Sequence, residues 1–239
     1  MEKFKELVME WEIVIIATFL TSFIISLLFI PKIIQFSKVS RLFALAGKRD
    51  SHLGEIPIFG GIAIFLGILF SLIFWSEISE MQFILISVVI LFFIGLIDDL
   101  LSLSPFKKLI GQIISVSIIV FFDGLIIDNM QGVFGVYTLP YDWISILFTI
   151  FVVIVITNSY NLIDGIDGLA GGLGFIMSCV FGTIFILNGR SDLEFTILAF
   201  SLAGALLAFL RYNAHPATIF MGDTGSLVVG FILSVLSIR

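Results

Sequence analysis

The sequence predicts an all-α, polytopic transmembrane helical bundle of about eight spans with its N-terminus outside, and three observations carry that prediction. Of 239 residues, 59% are hydrophobic and only 13% are charged, far from the balance of a water-soluble domain. The mean hydropathy is +1.21. The apolar residues come in blocks of roughly twenty, the length of a helix that crosses a bilayer, and short polar stretches part the blocks. The positions of Lys and Arg, rather than the net charge of −6, orient such a chain. Cys179 lies alone inside an apolar block, so there is no disulfide framework.

The first dozen residues carry Lys3, Glu6 and Glu12, too acidic for a cleavable leader. A first span is expected over residues 13–34. The loop that follows holds Lys38, Arg41, Lys48 and Arg49, which the positive-inside rule assigns to the cytoplasm, leaving the N-terminus outside. Residues 56–75 return across the membrane, the acidic turn 77–80 lies outside, and 81–97 comes back to deliver Asp98 and Asp99 to the cytoplasmic face. Lys107 and Lys108 agree with that side. Residues 109–127 go out to a loop at 128–142, whose VFGVYTLP reads as a short hairpin. Then 143–157 comes in, 169–187 goes out to an external NGRSDLE turn, 195–210 comes in and 227–238 leaves. No repeat or separate soluble domain is visible, so residues 1–239 read as one integral-membrane domain. Its loops near 40–56, 98–108, 158–168 and 211–226 share one face.

Those loops hold residues that membrane burial does not explain. NSYNLIDGIDGLAGG at 158–172 places two amides and two carboxylates directly after an apolar run. Ionisable side chains that persist at such a position mark a site. Two further stretches, GLIDDLLSLSPFKKLIGQ at 95–112 and NAHPATIFMGDTGS at 213–226, behave alike. Asp98, Asp99, Asp164, Asp167 and Asp223, with Asn158 and Asn161, are hard oxygen donors of the kind that suits Mg²⁺, with Mn²⁺ as the alternative. Zinc is disfavoured by one buried Cys and two distant His, His52 and His215. If the central segment is helical, Asn161 shares a face with Asp164, and Asp164 with Asp167. The plainer readings are Asp98 and Asp99 capping the next helix, Asp223 as an N-cap, His215 as structural beside Pro216, and Lys107 and Lys108 as topology signals. A transporter with intramembrane acids is a second functional class, and a catalytically silent binding protein a third.

Together the stretches FIGLIDDLLSLSPFKKLIGQ, NSYNLIDGIDGLAGG and HPATIFMGDTGS resemble the signature loops of the polyprenyl-phosphate N-acetylhexosamine-1-phosphate transferases, and KRDSHLGEIPIFGG at 48–61 adds a fourth likeness. The resemblance runs from about residue 40 to 230. It implies transfer of a sugar phosphate from a UDP-N-acetylhexosamine, such as UDP-N-acetylglucosamine, to undecaprenyl phosphate, with release of UMP. This is the first membrane step of cell-wall or lipopolysaccharide synthesis. It also implies an Mg²⁺ enzyme of the cell (inner) membrane with a cytoplasmic active site, no nucleic-acid partner, and a homodimer as the candidate assembly.

Carried over by motif, Asn161 and Asp223 would hold the metal, while Asp98, Asp99, Asp164 and Asp167 would be the catalytic carboxylates. Asp167 would help to read the base and Phe220 would lie against uracil. Asn158, His52, Lys48, Lys107, Lys108 and His215 complete the expected substrate contacts. A lipid phosphate with a second pKa near ~6 is already largely dianionic at neutral pH, so Asp98 and Asp99 are read as organising metal and phosphate. Base catalysis and a covalent phospho-aspartate stay open as alternatives. Family members continue past the MGD segment to a His- and Arg-rich loop, whereas this chain stops at Arg239, so a truncated or short variant is expected.

Overall fold

Eight helices follow one another among the described residues: α1 (Glu2–Ser40), α2 (Gly60–Trp75), α3 (Ile78–Leu101), α4 (Pro105–Ile118), α5 (Asp142–Ile163), α6 (Leu169–Asn188), α7 (Leu193–Asn213) and α8 (Gly222–Ile238). The structure is a computed structural model and describes residues 2–40, 56–189 and 192–239. Lys48, Arg49 and His52 lie outside the described residues.

Six of the helices are long and apolar enough to cross a membrane, and the chain is a multi-pass membrane protein. The other two, α2 and α8, have 16 and 17 residues. At 1.5 Å per residue they extend about 25 Å, short of the roughly 30 Å of a hydrocarbon core. Burial resolves the mismatch for α8. Its residues from Thr224 to Leu236 are enclosed by protein, with α2, α3, α5, α6 and α7 packed around it, so it has no lipid thickness to match. Lipid-facing apolar side chains sit instead on the outer helices, among them Phe36, Phe121, Leu147, Phe151 and Ile176.

Close packing around α8 depends on missing side chains, as it does between helices that gain little from hydrophobicity in lipid. Gly61 of α2 lies directly on the backbone of Gly225, and Gly95 of α3 on the backbone of Asp223 and Thr224. Serine hydroxyls join α1 to its neighbours: Ser22 donates to the Ser201 carbonyl (2.6 Å), Ser26 to that of Ala63 (3.0 Å), and Ser71 of α2 to that of Thr18 (2.8 Å).

Several expected boundaries move. The span expected over 109–127 begins at Pro105, which suits the first helical position, and after Ile118 it winds into a π turn over Ile119–Asp123. Gly124, at φ 70°, ends it. The expected hairpin is only a looped pair: Asn129 and Thr138 form one isolated bridge, and Val133–Gly135 is a single 3₁₀ turn between them. The span expected to stop at residue 157 runs on to Ile163, and the one expected from 227 begins at Gly222.

Candidate active site

The C-terminal ends of α3, α5 and α7 and the N-terminal ends of α2, α4, α6 and α8 meet at one end of the bundle. An extended segment before α2 anchors the turn into α8. Gly60 and Gly61 donate to the carbonyls of Phe220 and Met221, both at 2.9 Å, and Phe220 donates to that of Pro57 at 2.8 Å. Gly222 then turns the chain at φ 71°, a conformation that side chains disfavour.

A helix start leaves its first N–H groups without partners. For α8 those partners come from other helices. Asp99, at the end of α3, accepts the backbone N–H groups of Asp223 and Thr224 at 2.9 Å each, and the Thr224 hydroxyl as well. Asp164, which caps the C-terminus of α5, accepts the Gly222 N–H at 2.8 Å. Two carboxylates at a helix N-terminus also suit its dipole. Asp223 is therefore not the cap of its own helix. It stands in the first turn, behind Met221 at the capping position. Nor does either member of the aspartate pair cap the helix that follows it, α4: Asp99 serves α8, and Asp98 accepts the Leu103 N–H at 2.6 Å.

The charged centre lies beside that cap. The Lys108 ammonium is 3.1 Å from Asp98 Oδ2 and 2.8 Å from Asp223 Oδ2. Asn161 donates its amide to Asp223 Oδ1 and to the Ser226 hydroxyl. A cavity of about 540 Å³ opens from this cluster between α4 and α5, lined by Asp98, Lys108, Gln112, Asn158, Asn161 and Leu162. Leu162 is 84% exposed on the outer surface, so the cavity has a lipid-facing side. Deeper in, Asn158 and Gln112 pair amide to amide, at 2.8 and 3.2 Å.

Asp167 parts from Asp164 because α5 ends at Ile163, so the helical spacing that would put them on one face does not arise. Asp167 Oδ2 accepts the Ala217 N–H at 3.1 Å and lies 2.9 Å from His215 Nδ1, fastening the loop that leads into α8. Asn213 closes the same loop, accepting from Gly168 N–H at 3.0 Å and donating to the Ile219 carbonyl at 2.9 Å. The Ala217 N–H and the His215 ring hold Asp167 below its ordinary 3.8. A depressed carboxylate contributes stability that is complete above the unfolded pKa and is lost as pH falls through the lower folded value. The melting-temperature gap between wild type and Asp167→Asn is therefore expected to hold steady at neutral pH and to close in acid. A gap that persists below about pH 2 would take the carboxylate charge out of this contact.

Of the other expected contacts, Lys107 and His215 are exposed and Phe220 is half-buried, and none of the three lines the cavity. Gln112, Thr224 and Ser226 belong to the site yet were not singled out by sequence. Gln112 lies four residues after Lys108, hence on the same face of α4, and that spacing was the available signal.

No three His, Cys, Asp or Glu side chains cluster as a metal cage among the described residues. The donors nevertheless fit Mg²⁺, which keeps most of its waters and needs only one or two carboxylates. Asp98 and Asp223 each present one oxygen to a single cation position, and no described residue donates to the side-chain Oδ1 of Asn161. Among the described residues the site is also short of positive charge, with Lys108 facing Asp98 and Asp223. Burial pushes Asp164 up to about 6 against the pull of the Gly222 and Met221 amides, and the charges of Asp99 and Asp223 add to the rise. All these acids stand at helix ends, not midway along a span as the transporter reading requires.

The model of glycosyl transferase family 4 matches residues 81–239. The chain is 36% identical over 217 residues to the decaprenyl-phosphate N-acetylglucosaminephosphotransferase of Mycobacterium tuberculosis, covering 83% of this chain and 54% of that protein. It is 34% identical over 259 residues to the phospho-N-acetylmuramoyl-pentapeptide-transferase of Borreliella burgdorferi, covering 91% of this chain and 71% of that protein. It thus spans about half the length of the mycobacterial relative.

Proposed function

The chain belongs to glycosyl transferase family 4, and we propose that it transfers N-acetylhexosamine-1-phosphate from a UDP-sugar to a polyprenyl phosphate, releasing UMP, at the cytoplasmic face of the cell membrane. The observation that carries this reading is the cavity between α4 and α5. It joins a lipid-facing opening at Leu162 to the cluster of Asp98, Lys108, Asn161 and Asp223. A lipid acceptor reaches a charged site only through such an opening. The names of the relatives, both phosphate transferases and one of them for decaprenyl phosphate, support the same chemistry.

The acceptor phosphate is largely dianionic at neutral pH, with a second pKa near ~6, and so needs little help from a base. The protein's task is to place two phosphate groups that repel each other. Lys108 supplies a cation on the cavity wall, and the Asn158–Gln112 pair offers amide donors and acceptors below it. Asp223 and Asn161 would hold Mg²⁺, with Asp98 Oδ2, the oxygen that faces Lys108, beside them. When bound, the metal neutralises charge that builds on the donor pyrophosphate. Asp99 and Asp164 are positioning residues in this scheme, because their oxygens hold the start of α8 and so set where Asp223 stands.

The test is an assay of the purified chain with radiolabelled UDP-N-acetylglucosamine or UDP-N-acetylmuramoyl-pentapeptide, polyprenyl phosphate and Mg²⁺. UMP release that needs both lipid and metal is the expected result, and the donor that reacts names the sugar. Failure with every donor, by protein that remains folded, would remove the transferase assignment.

A further inference from the structure

We propose that Lys108 is the resident counter-cation of the metal position: its ammonium and a divalent cation compete for the same oxygens of Asp98 and Asp223. The inference rests on the reading above that Asp223 is a metal ligand.

The geometry has three parts. First, the ammonium bridges the two carboxylates at 3.1 and 2.8 Å, and the three side chains are only 11 to 26% exposed. Two carboxylates brought this close from α3 and α8 repel unless a positive charge lies between them. Second, each carboxylate is tied by its other oxygen, Asp98 Oδ1 to the Leu103 N–H and Asp223 Oδ1 to the Asn161 amide. The oxygens that face the cation position therefore stay in place when the ammonium leaves. Third, among the described residues only those carboxylates keep Lys108 there. It stands near the N-terminus of α4, whose first turn contains no acidic residue, and a helix dipole disfavours a cation at that end. The two carboxylates are what hold it, through a flexible four-carbon stem.

Displacement has a direction. Lys108 lines the cavity between α4 and α5, so an ammonium released by a divalent cation swings into the space that receives an anionic group. Loading the metal position would thereby expose a cation to the acceptor phosphate and order the two binding events. Lys108 acts here as a positioning residue for the metal position.

The competition is read from metal binding alone. Purified full-length protein in detergent is titrated with Mn²⁺, without nucleotide or lipid, and free Mn²⁺ is followed by electron paramagnetic resonance. Lys108→Met is expected to bind Mn²⁺ about ten- to a hundredfold more tightly than wild type. Lys108→Arg, which keeps the charge, should stay near wild type, and adding Asp223→Asn to Lys108→Met should remove the gain. If Lys108→Met folds only with metal, unfolding on chelation under conditions that leave wild type intact is the same result in another form. Equal or weaker Mn²⁺ binding by Lys108→Met overturns the competition, and leaves the metal reading standing if Asp223→Asn alone abolishes binding. Absence of Mn²⁺ binding in all these proteins overturns both.

Discussion

Asp223→Asn is expected to yield a folded protein whose metal-dependent turnover falls by about a thousandfold or more. The fold survives because α8 is held through the backbone of residue 223. Asp99 accepts that N–H, whatever side chain follows it. The chemistry does not survive, because the side chain meets Lys108 through one oxygen and Asn161 through the other, and an amide, with a single acceptor oxygen, repeats only one of the two contacts. An asparagine would turn its NH₂ toward the Lys108 ammonium or the Asn161 amide. One negative charge would also be missing from a site built to gather cations. Turnover and melting temperature measured on the same preparation separate the two effects, and a folded variant that keeps its turnover would remove Asp223 from the metal position.

Gly95→Ala should act through stability, with loss of activity as a consequence. A methyl group at this position would lie 2.6 Å from the carbonyl carbon of Asp223 and 2.6 Å from the Thr224 Cα. Both are backbone atoms in the first turn of α8, so no side chain can rotate away. Asp99 follows one turn later on the same face of α3, and whatever pushes the helices apart at Gly95 also draws Asp99 from the amides that it caps. Overpacking costs about 1–3 kcal/mol, and a weakened cap about 1 kcal/mol more. Gly172→Ala is the control: a methyl there meets nothing within 4 Å, and the melting temperature should not fall. Equal behaviour of the two variants would show that the contact between α3 and α8 tolerates expansion.

Sequence made the bundle legible because apolar blocks and polar interruptions report directly on lipid and water. It also brought Asp98, Asn161 and Asp223 to one end, since Lys and Arg orient the spans independently of the acids. It misjudged the course of α5 beyond residue 157, where polarity seemed to end the membrane helix. Asn158 and Asn161 instead find partners in Gln112 and Asp223, and with those partners a helix continues past the point where its side chains become polar. The parts taken by Asp99 and Asp164 were beyond reach for a different reason. Their partners, at residues 222–224, lie 58 to 125 positions away, and a cap supplied from another helix leaves no local signature. Spacing within a motif predicts a shared helical face only while the helix lasts, which is why Asp164 and Asp167 part company just after Ile163.

Because α8 takes its capping groups from α3 and α5, the order of synthesis has a meaning for assembly. Both donors of those carboxylates leave the ribosome well before α8 does. Until α8 arrives, the nascent bundle holds an open socket with an acid on either side and a small-residue floor at Gly61 and Gly95. The incoming helix is apolar from Leu227 onward apart from two serines, and the amides of its first turn find their acceptors in that socket. Insertion of α8 is thus a keying step: it fills that socket and, in the same movement, carries Asp223 to Lys108. An assembly intermediate in which α8 has not yet packed lacks Asp223 beside Lys108, so the cation position and the seating of α8 arise together.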